Sequence, residues 1–391
     1  MSIAVRDERG AERPAEVKPG STVSAVHVVV PAGIHDPARI SGGNRYDREV
    51  CADLRDAGWS VTEVAAGGSW PRPDAIAQAA LARSLDALPD DALVLADGLV
   101  ASAAGAVLVP RSERLRLVVL VHMVFGGMDL GGRDLDGVAV EERDESAVLA
   151  AARAVVTTSA WTRRRLLERY QLPVDRVHVA RPGTEPAPVS PRTAGGGRLV
   201  CVGTLSRLKG QDLLLEALGR LVGLPWRCAM VGPLDRDPGF VASLARGATA
   251  TGIADRVRMP GTRTGAALRR EYEDADLLVL PSRAETFGMV VPEALAAGVP
   301  VLATEVGGVR EALGRTAAGR PGLLVPPEDP AALAGALARW LTDAGLRSRL
   351  RRAALRRRET LPDWRRTGER IRSVLSAVRL EPGPPQIRGV P

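Results

Sequence analysis

The stretch Leu277–Val309, LLVLPSRAETFGMVVPEALAAGVPVLATEVGGV, restricts the fold more than any other part of the chain. Leu277 to Leu280 form a short, wholly apolar run of the kind that becomes a fully buried strand. Pro281 and Ser282 end it. A loop follows, with Glu285 early in it and Gly288 placed where the backbone can come close to a ligand. Pro292 suits the first position of a helix, with Glu293 just behind it. Gly298 stops that helix, and Val299 to Ala303 read as the next strand. Strand, loop, short helix and strand make a βαβ unit. Both carboxylates fall at the end of the sheet where α/β proteins bind ligands.

The rest of the chain repeats this alternation twice. With 391 residues it is too long for one ordinary core. A first series predicts strands at Val23–Pro31, Trp59–Val64, Asp91–Ala96, Leu115–Val121, Ala154–Thr157 and Val177–Ala180. In the first helix of that series, about Asn44 to Asp56, Tyr46, Val50 and Leu54 share one face at i, i+4 and i+8. The segment 182–197, PGTEPAPVSPRTAGGG, has the Pro and Gly content of a linker. A second series then begins at Arg198–Gly203 and continues through Trp226–Val231 and Val257–Met259 to the stretch above. The expected fold class is α/β, with two doubly wound, Rossmann-like domains facing each other.

Composition narrows the partners. The net charge is +7, carried mostly by Arg, while aromatics make up 3% and never interleave with basic residues. That disfavours a nucleic-acid surface and favours anionic small ligands. No apolar run reaches the roughly 20 residues a bilayer span needs. The first 20 residues are polar and lack the apolar core of a secretory signal. Cys51, Cys201 and Cys228 are scattered, with no metal-ligand spacing, and read as buried thiols of a cytoplasmic protein. Ala344 to about Arg379 is expected to be helical and is dense in Arg. It is either a helix packed across both domains or a face for anions or a membrane surface.

Three further segments carry candidate chemistry. Gly42 and Gly43 stand between a strand and a helix, where they are either a flexible turn or a place for a phosphate or hydroxyl to approach. His122 ends a strand and either faces the ligand crevice or bonds to backbone. In Val202–Leu218, VGTLSRLKGQDLLLEAL, Gly203 ends a strand and Arg207 and Lys209 precede a helix. Two cations at a helix N-terminus oppose its dipole unless an anion lies between them, and a diphosphate supplies one. A pair such as Glu285 and Glu293 also suits glycoside hydrolysis. A hydrolase, however, has no use for a diphosphate clamp, whereas carboxylates do accept paired hydrogen bonds from vicinal hydroxyls.

The segments GTLSRLKG, PSRAETFGMVVPEALAAGVPV and GGVREAL, in this order and spacing, resemble the retaining, nucleotide-sugar-dependent glycosyltransferases of family 4 and their E-x7-E signature. The resemblance covers nearly the whole chain and implies the GT-B fold. It implies an acceptor domain at 21–185, a linker at 186–197, a donor domain at 198–363 and a helix at 364–380 crossing back to the first domain. Residues 1–20 and 381–391 would be a disordered lead-in and tail. By the same resemblance, Glu293 binds the donor ribose, Glu285 the donor sugar, and Lys209 the diphosphate. Amides of Phe287, Gly288, Met289 and Val290 line sugar and phosphate, Gly43 and Gly203 lie by the diphosphate, and the backbone near Met259 flanks the base. His122 matches a family His beside the transferred sugar. Arg207 supplies the second cation, because Thr204 stands where Arg is commoner. Thr286 replaces the usual Gly after the first Glu.

The implied reaction moves a sugar from a UDP- or GDP-sugar to a hydroxyl, or to a thiol, with retention. No residue stands out as a covalent nucleophile, and no carboxylate cluster calls for a metal. No cofactor is implied beyond the nucleotide-sugar substrate. Acceptor specificity falls to the loops Ser41–Arg45, Asp97–Leu99 and Gly126–Asp136, with Asn44, Asp97 and Gly126 as candidate contacts. An NDP-sugar epimerase on the same fold, or a non-catalytic nucleotide-sugar binder, are the alternatives that product analysis separates.

Overall fold

A computed structural model describes residues 23–37, 39, 41–125 and 142–381. Gly126, the Gly126–Asp136 loop, the 1–20 lead-in and nearly all of 381–391 lie outside the described residues.

The first sheet contains β1 (Ala25–Pro31), β2 (Ser60–Ala66), β3 (Leu93–Asp97), β4 (Arg116–Val121), β5 (Ala154–Thr157) and β6 (Val177–Val179). All its strands are parallel, in the order β2-β1-β3-β4-β5-β6. The second sheet contains β7 (Arg198–Val202), β8 (Arg227–Val231), β9 (Val257–Gly261), β10 (Leu277–Leu280), β11 (Val301–Thr304) and β12 (Gly322–Val325). It too is parallel, in the order β12-β11-β10-β7-β8-β9. Both orders reverse direction once, between β1 and β3 and between β7 and β10. At such a point the loops leaving adjacent strands run apart to opposite faces and leave a crevice. Every residue of β3, β4, β5, β10 and β11 is buried, which is why these strands read as nearly continuous apolar runs, with polar residues only at their ends, rather than alternating ones.

Most boundaries move by one to three residues, as cap chemistry dictates. The first helix begins at Gly42, because the Ser41 hydroxyl accepts from the Asn44 amide at 3.0 Å. Tyr46, Val50 and Leu54 are buried on its inner face, and so are Asp47 and Cys51. The helix after β10 corrects the sequence reading. It starts at Val290 rather than at Pro292, since the turn is made earlier, at Gly288 with φ +83. The Arg-rich C-terminal region is also not one helix. It breaks between Ala344–Arg358 and Trp364–Leu380, where Pro362 removes an amide donor and Asp363 caps the new start.

The last helix lies against the first sheet. Ile371, Val374, Leu375 and Val378 join the cluster formed by Val28, Tyr46, Val50 and Leu54. The Thr367 hydroxyl donates to the Arg181 carbonyl at 2.6 Å, and Arg116 donates to the carbonyls of Val378 and Glu381. Cys51, Cys201 and Cys228 are buried free thiols, as expected. Among the described residues no helix is long and apolar enough to cross a membrane.

The crossing depends on a close backbone approach at Gly183, where a Cβ would sit 2.2 Å from the Trp364 nitrogen. Gly183→Ala should therefore lower stability by about 1–3 kcal/mol through overpacking. In contrast, a Cβ at Gly335, inside the helix Pro330–Thr342, meets nothing within 4 Å. Gly335→Ala should gain up to about 1 kcal/mol. Urea midpoints of the two variants should move in opposite directions from the parent.

Candidate functional site

The loops leaving β7 and β10 meet at the switch point of the second sheet. After β7 the chain passes Gly203 and Ser206 into a single 3-10 turn, Arg207–Lys209, before the helix Gln211–Gly219. After β10 it runs from Pro281 through Glu285 to Gly288. The Lys209 ammonium donates to Glu285 Oε1 at 2.6 Å, and the Ser282 hydroxyl donates to the same oxygen at 2.9 Å. Arg283 ties the two loops together. Its amide donates to the Leu208 carbonyl, and its guanidinium grips Asp212 through two bonds of 2.8 and 2.9 Å. Gly307 and Gly308 form the floor beneath. A Cβ at Gly307 would lie 1.6 Å from the Glu285 carbonyl oxygen, and one at Gly308 2.2 Å from that of Thr286.

Arg207 is exposed, with its guanidinium 5.8 Å from the centre of the Phe240 ring. Its side chain is therefore not brought beside Lys209 onto the carboxylate, although both sit on one turn. Met259 is half-buried in β9, flanking the same edge.

Glu293 lies one helical turn into Val290–Ala296, with both oxygens engaged. Oε1 accepts from Arg45 of the first helix at 2.6 Å, and Oε2 accepts from the Tyr272 hydroxyl at 2.7 Å. Burial raises the carboxyl above its ordinary range, while Arg45 and Tyr272 pull it back. Arg45 thus links the two halves of the molecule, and it reaches Glu185 at 3.2 Å as well. Two more contacts cross the same gap. The Ser159 hydroxyl donates to the Thr286 carbonyl at 2.7 Å, and Glu311 accepts from the amides of Ala160 and Trp161.

The facing wall comes from β1, β3 and β4. The Gly42–Gly43 turn lies between the halves: a Cβ at Gly42 would be 3.2 Å from Met289 Sδ, and one at Gly43 3.3 Å from the His122 ring. Asn44 is spent on the turn itself, donating to the Arg39 carbonyl at 2.7 Å. Asp97 caps the short helix Gly98–Ala101 through Leu99 and Val100. His122 Nε2 faces two carboxyls, Asp47 Oδ1 at 2.8 Å and Asp97 Oδ2 at 3.4 Å. The Tyr46 ring meets the imidazole edge-on at 5.1 Å.

This trio is an electrostatic unit. Burial pushes the Asp47 carboxyl up to about 7, opposed by a bond from Asp97 and by Arg48. Asp97 rises well above its usual range through burial and the neighbouring Asp47 charge. His122 is lowered by burial, with Asp97 working against the shift. Above about pH 7, the arrangement that satisfies all three is a protonated Asp97 donating to an Asp47 carboxylate, which also accepts from a neutral His122 protonated at Nε2. Their ligand atoms lie within 4.8 Å of one another, close enough to surround a small cation. A proton shared by the acid pair competes for that place.

The sequence reading identified Lys209, Glu285, Glu293, Gly43 and His122, and the fold brings them to the two facing edges. It did not identify Arg45, Tyr272, Arg283, Asp47, Ser159 or Glu311. Only Asp47 carried a legible signal, a charged residue at i, i+4, i+7 with the buried Cys51 and Leu54.

A family model described as Glycosyl transferases group 1 matches residues 189–357. The D-inositol 3-phosphate glycosyltransferase 1 of Catenulispora acidiphila is 33% identical over 271 residues, which are 63% of this chain and 63% of that protein. The D-inositol 3-phosphate glycosyltransferase of Thermomonospora curvata is 32% identical over 265 residues, 62% of this chain and 61% of that protein. The match thus spans less than two thirds of the length of these relatives. The structure of sucrose-phosphate synthase from Thermosynechococcus elongatus is similar with a TM-score of 0.73 at 22% identity, covering 91% of this chain and 99% of that one. Anabaena Alr3699/HepE in complex with UDP-glucose gives 0.69 at 19% identity, covering 90% and 99%. At such identities the likeness is one of fold.

The Asp47 assignment has a measurable consequence. A carboxyl at about 7 in the folded chain and at about 3.9 unfolded costs stability progressively as pH rises through that interval. Asp47→Asn lacks this cost. Relative to the parent it should gain stability steadily between pH 5 and about 7, then level off, as read by urea unfolding at each pH. A difference independent of pH would mean that Asp47 stays ionised throughout.

Proposed function

The chain belongs, through residues 189–357, to the glycosyl transferases group 1 family on a GT-B fold, and on that premise we propose that it is a retaining transferase moving a sugar from a nucleoside diphosphate sugar to a hydroxyl of a small-molecule acceptor. The observation that carries this reading is the Lys209–Glu285 contact of 2.6 Å at the crevice between β7 and β10. An ammonium held at the crevice mouth suits an anion. A carboxylate one bond away suits hydroxyls on the group attached to it.

In this reading Lys209 binds the diphosphate, assisted by Arg207 once its exposed side chain swings from Phe240. Amides of Phe287, Gly288, Met289 and Val290, with Gly43 and Gly203, complete the phosphate and sugar cradle. Glu285 holds hydroxyls of the donor sugar, Glu293 those of the ribose, and backbone near Met259 the base. His122 faces the transferred sugar, oriented by Asp47 and Asp97. The acceptor enters along the wall that carries Asn44, Asp97 and the chain around Gly126.

The reaction develops negative charge on the leaving diphosphate and positive charge on the sugar. Fixed cations and amides in a closed crevice stabilise the former without having to reorganise, which is why such groups often dominate catalysis. Glu285 is assigned in this reading to sugar hydroxyls, with Lys209 and Ser282 on its Oε1, and no other residue is assigned as a covalent nucleophile. That favours a front-face path, in which the leaving phosphate oxygen takes the acceptor proton. Uracil is the first nucleobase to test, since a neighbour of the same fold holds UDP-glucose. Relatives named for D-inositol 3-phosphate make phosphorylated polyols the first acceptors.

Three outcomes follow. UDP-sugars should raise the melting temperature, and Lys209→Ala should abolish both that rise and turnover; intact donor affinity in this variant would remove the diphosphate assignment. Glu293→Ala should weaken donor binding about 10–100-fold, the size expected for hydrogen bonds to a charged group. Because Arg45 occupies Glu293 Oε1, Arg45→Ala should tighten donor binding severalfold in the same titration; weaker binding would show that Arg45 assists the donor instead of competing with it.

A further inference from the structure

Behind the donor loop is a recess of about 340 Å³ that neither the donor nor the acceptor reading uses. Its walls come from four places: the end of β6 and the chain after it, the helix Val309–Leu313 with Phe287 and Pro292, the end of the helix Ala344–Arg358 with the link after it, and the C-terminal helix that crosses back. Four guanidinium groups line it, those of Arg181, Arg357, Arg366 and Arg370, against one carboxylate, Glu311. Glu311 is already engaged by Arg181 and by the amides of Ala160 and Trp161. Lys209, Glu285, Glu293 and His122 are not among the lining residues, so the recess is separate from the crevice, but Phe287 of the donor loop and Pro292 of the helix after it form part of its wall.

The cations here differ from their neighbours. Arg365 pairs with Glu369, and Arg372 with Asp53. Arg366 and Arg370 are exposed and form no side-chain hydrogen bond or ion pair among the described residues. They stand four apart on one helix, a like-charge spacing that is unfavourable without an anion between them. Arg357 satisfies its donors on the carbonyls of Leu313 and Thr360 and the Thr360 hydroxyl, not on a carboxylate. Its pKa is lowered by burial and by the charge of Arg181. A volume of this size falls within the ordinary range for small-ligand sites. A second, shallower groove of about 550 Å³ continues from it along the same helix, past Arg365 and Ser373.

We propose that this recess is a second anion site, which binds a phosphate-bearing group through Arg366, Arg370, Arg357 and Arg181. Planar guanidinium forks match phosphate oxygens in pairs, and several converging on one anion give both charge and geometry. Because these walls meet there, an anion would bridge the two halves of the molecule and the crossing helix. It would favour the arrangement in which Phe287 and Pro292 are held in place. The phosphate could belong to a soluble ligand or to a lipid headgroup.

Titration with inorganic diphosphate, followed by calorimetry, tests the site. The donor crevice also takes diphosphate in the reading above, so the parent should bind two equivalents. Lys209→Ala should keep one, and the pair Arg366→Gln with Arg370→Gln should lose the other or weaken it by at least about tenfold. If the donor reading is wrong, the parent binds one equivalent, and only the Arg pair removes it. Sedimentation with vesicles of phosphatidylcholine containing phosphatidylglycerol separates the sources. Pelleting that the Arg pair abolishes assigns the site to lipid, while diphosphate binding without pelleting assigns it to a soluble ligand. Circular dichroism of the Arg variant should match the parent. The proposal is overturned if neither probe binds outside the crevice, or if binding survives in the Arg variant with its fold intact.

Discussion

The crevice between β7 and β10 depends on backbone packed directly on backbone. The Gly307–Gly308 pair after β11 lies so close beneath Glu285 and Thr286 that a methyl group at either glycine would overlap a carbonyl oxygen, at 1.6 and 2.2 Å. The Gly308 amide also donates to the Glu285 carbonyl at 3.0 Å. This contact sets the height of the β10 loop over the sheet. From that height follow the reach of Glu285 to Lys209, the turn at Gly288 and the start of the helix at Val290. Arg283 fixes the remaining freedom by clasping the β7 loop. Lys209 therefore meets Glu285 between two loops whose main chains are already joined to each other.

The carboxylates of the crevice share a pattern. Glu285 is held by Lys209, Glu293 by Arg45 and Tyr272, and Glu311 by Arg181 and two helix-start amides. Two of these arrangements join the second sheet's elements to the first's. Buried ionised groups persist only when paired in this way, and each pair contributes orientation more than net stability. A ligand with hydroxyls or phosphates can replace such partners with little change in the number of hydrogen bonds. That makes the same carboxylates suitable both as interdomain ties and as binding groups. Asp47 and Asp97 follow the other course open to buried acids: they retain a proton between them and hold His122 in one orientation.

The sequence by itself determined the class of fold and the elements that meet at the crevice between β7 and β10. Apolar runs of four to seven residues, each followed by a turn residue and a helix pattern, allow little other than parallel sheets. The positions of Gly203, Lys209 and Glu285 shortly after strand ends, and of Glu293 at the start of the following helix, are fixed by local rules alone. The tertiary structure decided what no local rule reaches. Arg45 and Glu293 are 248 positions apart, and nothing in either neighbourhood announces the other. Tyr272 reads as one more apolar helix position until its hydroxyl is seen against Glu293. The recess at Arg366 and Arg370 exists only where the crossing helix, the chain after β6 and the donor loop converge. Helices and strands are specified by neighbours along the chain. Pairing across a crevice depends on how whole sheets are placed, and that is settled only when the cores close.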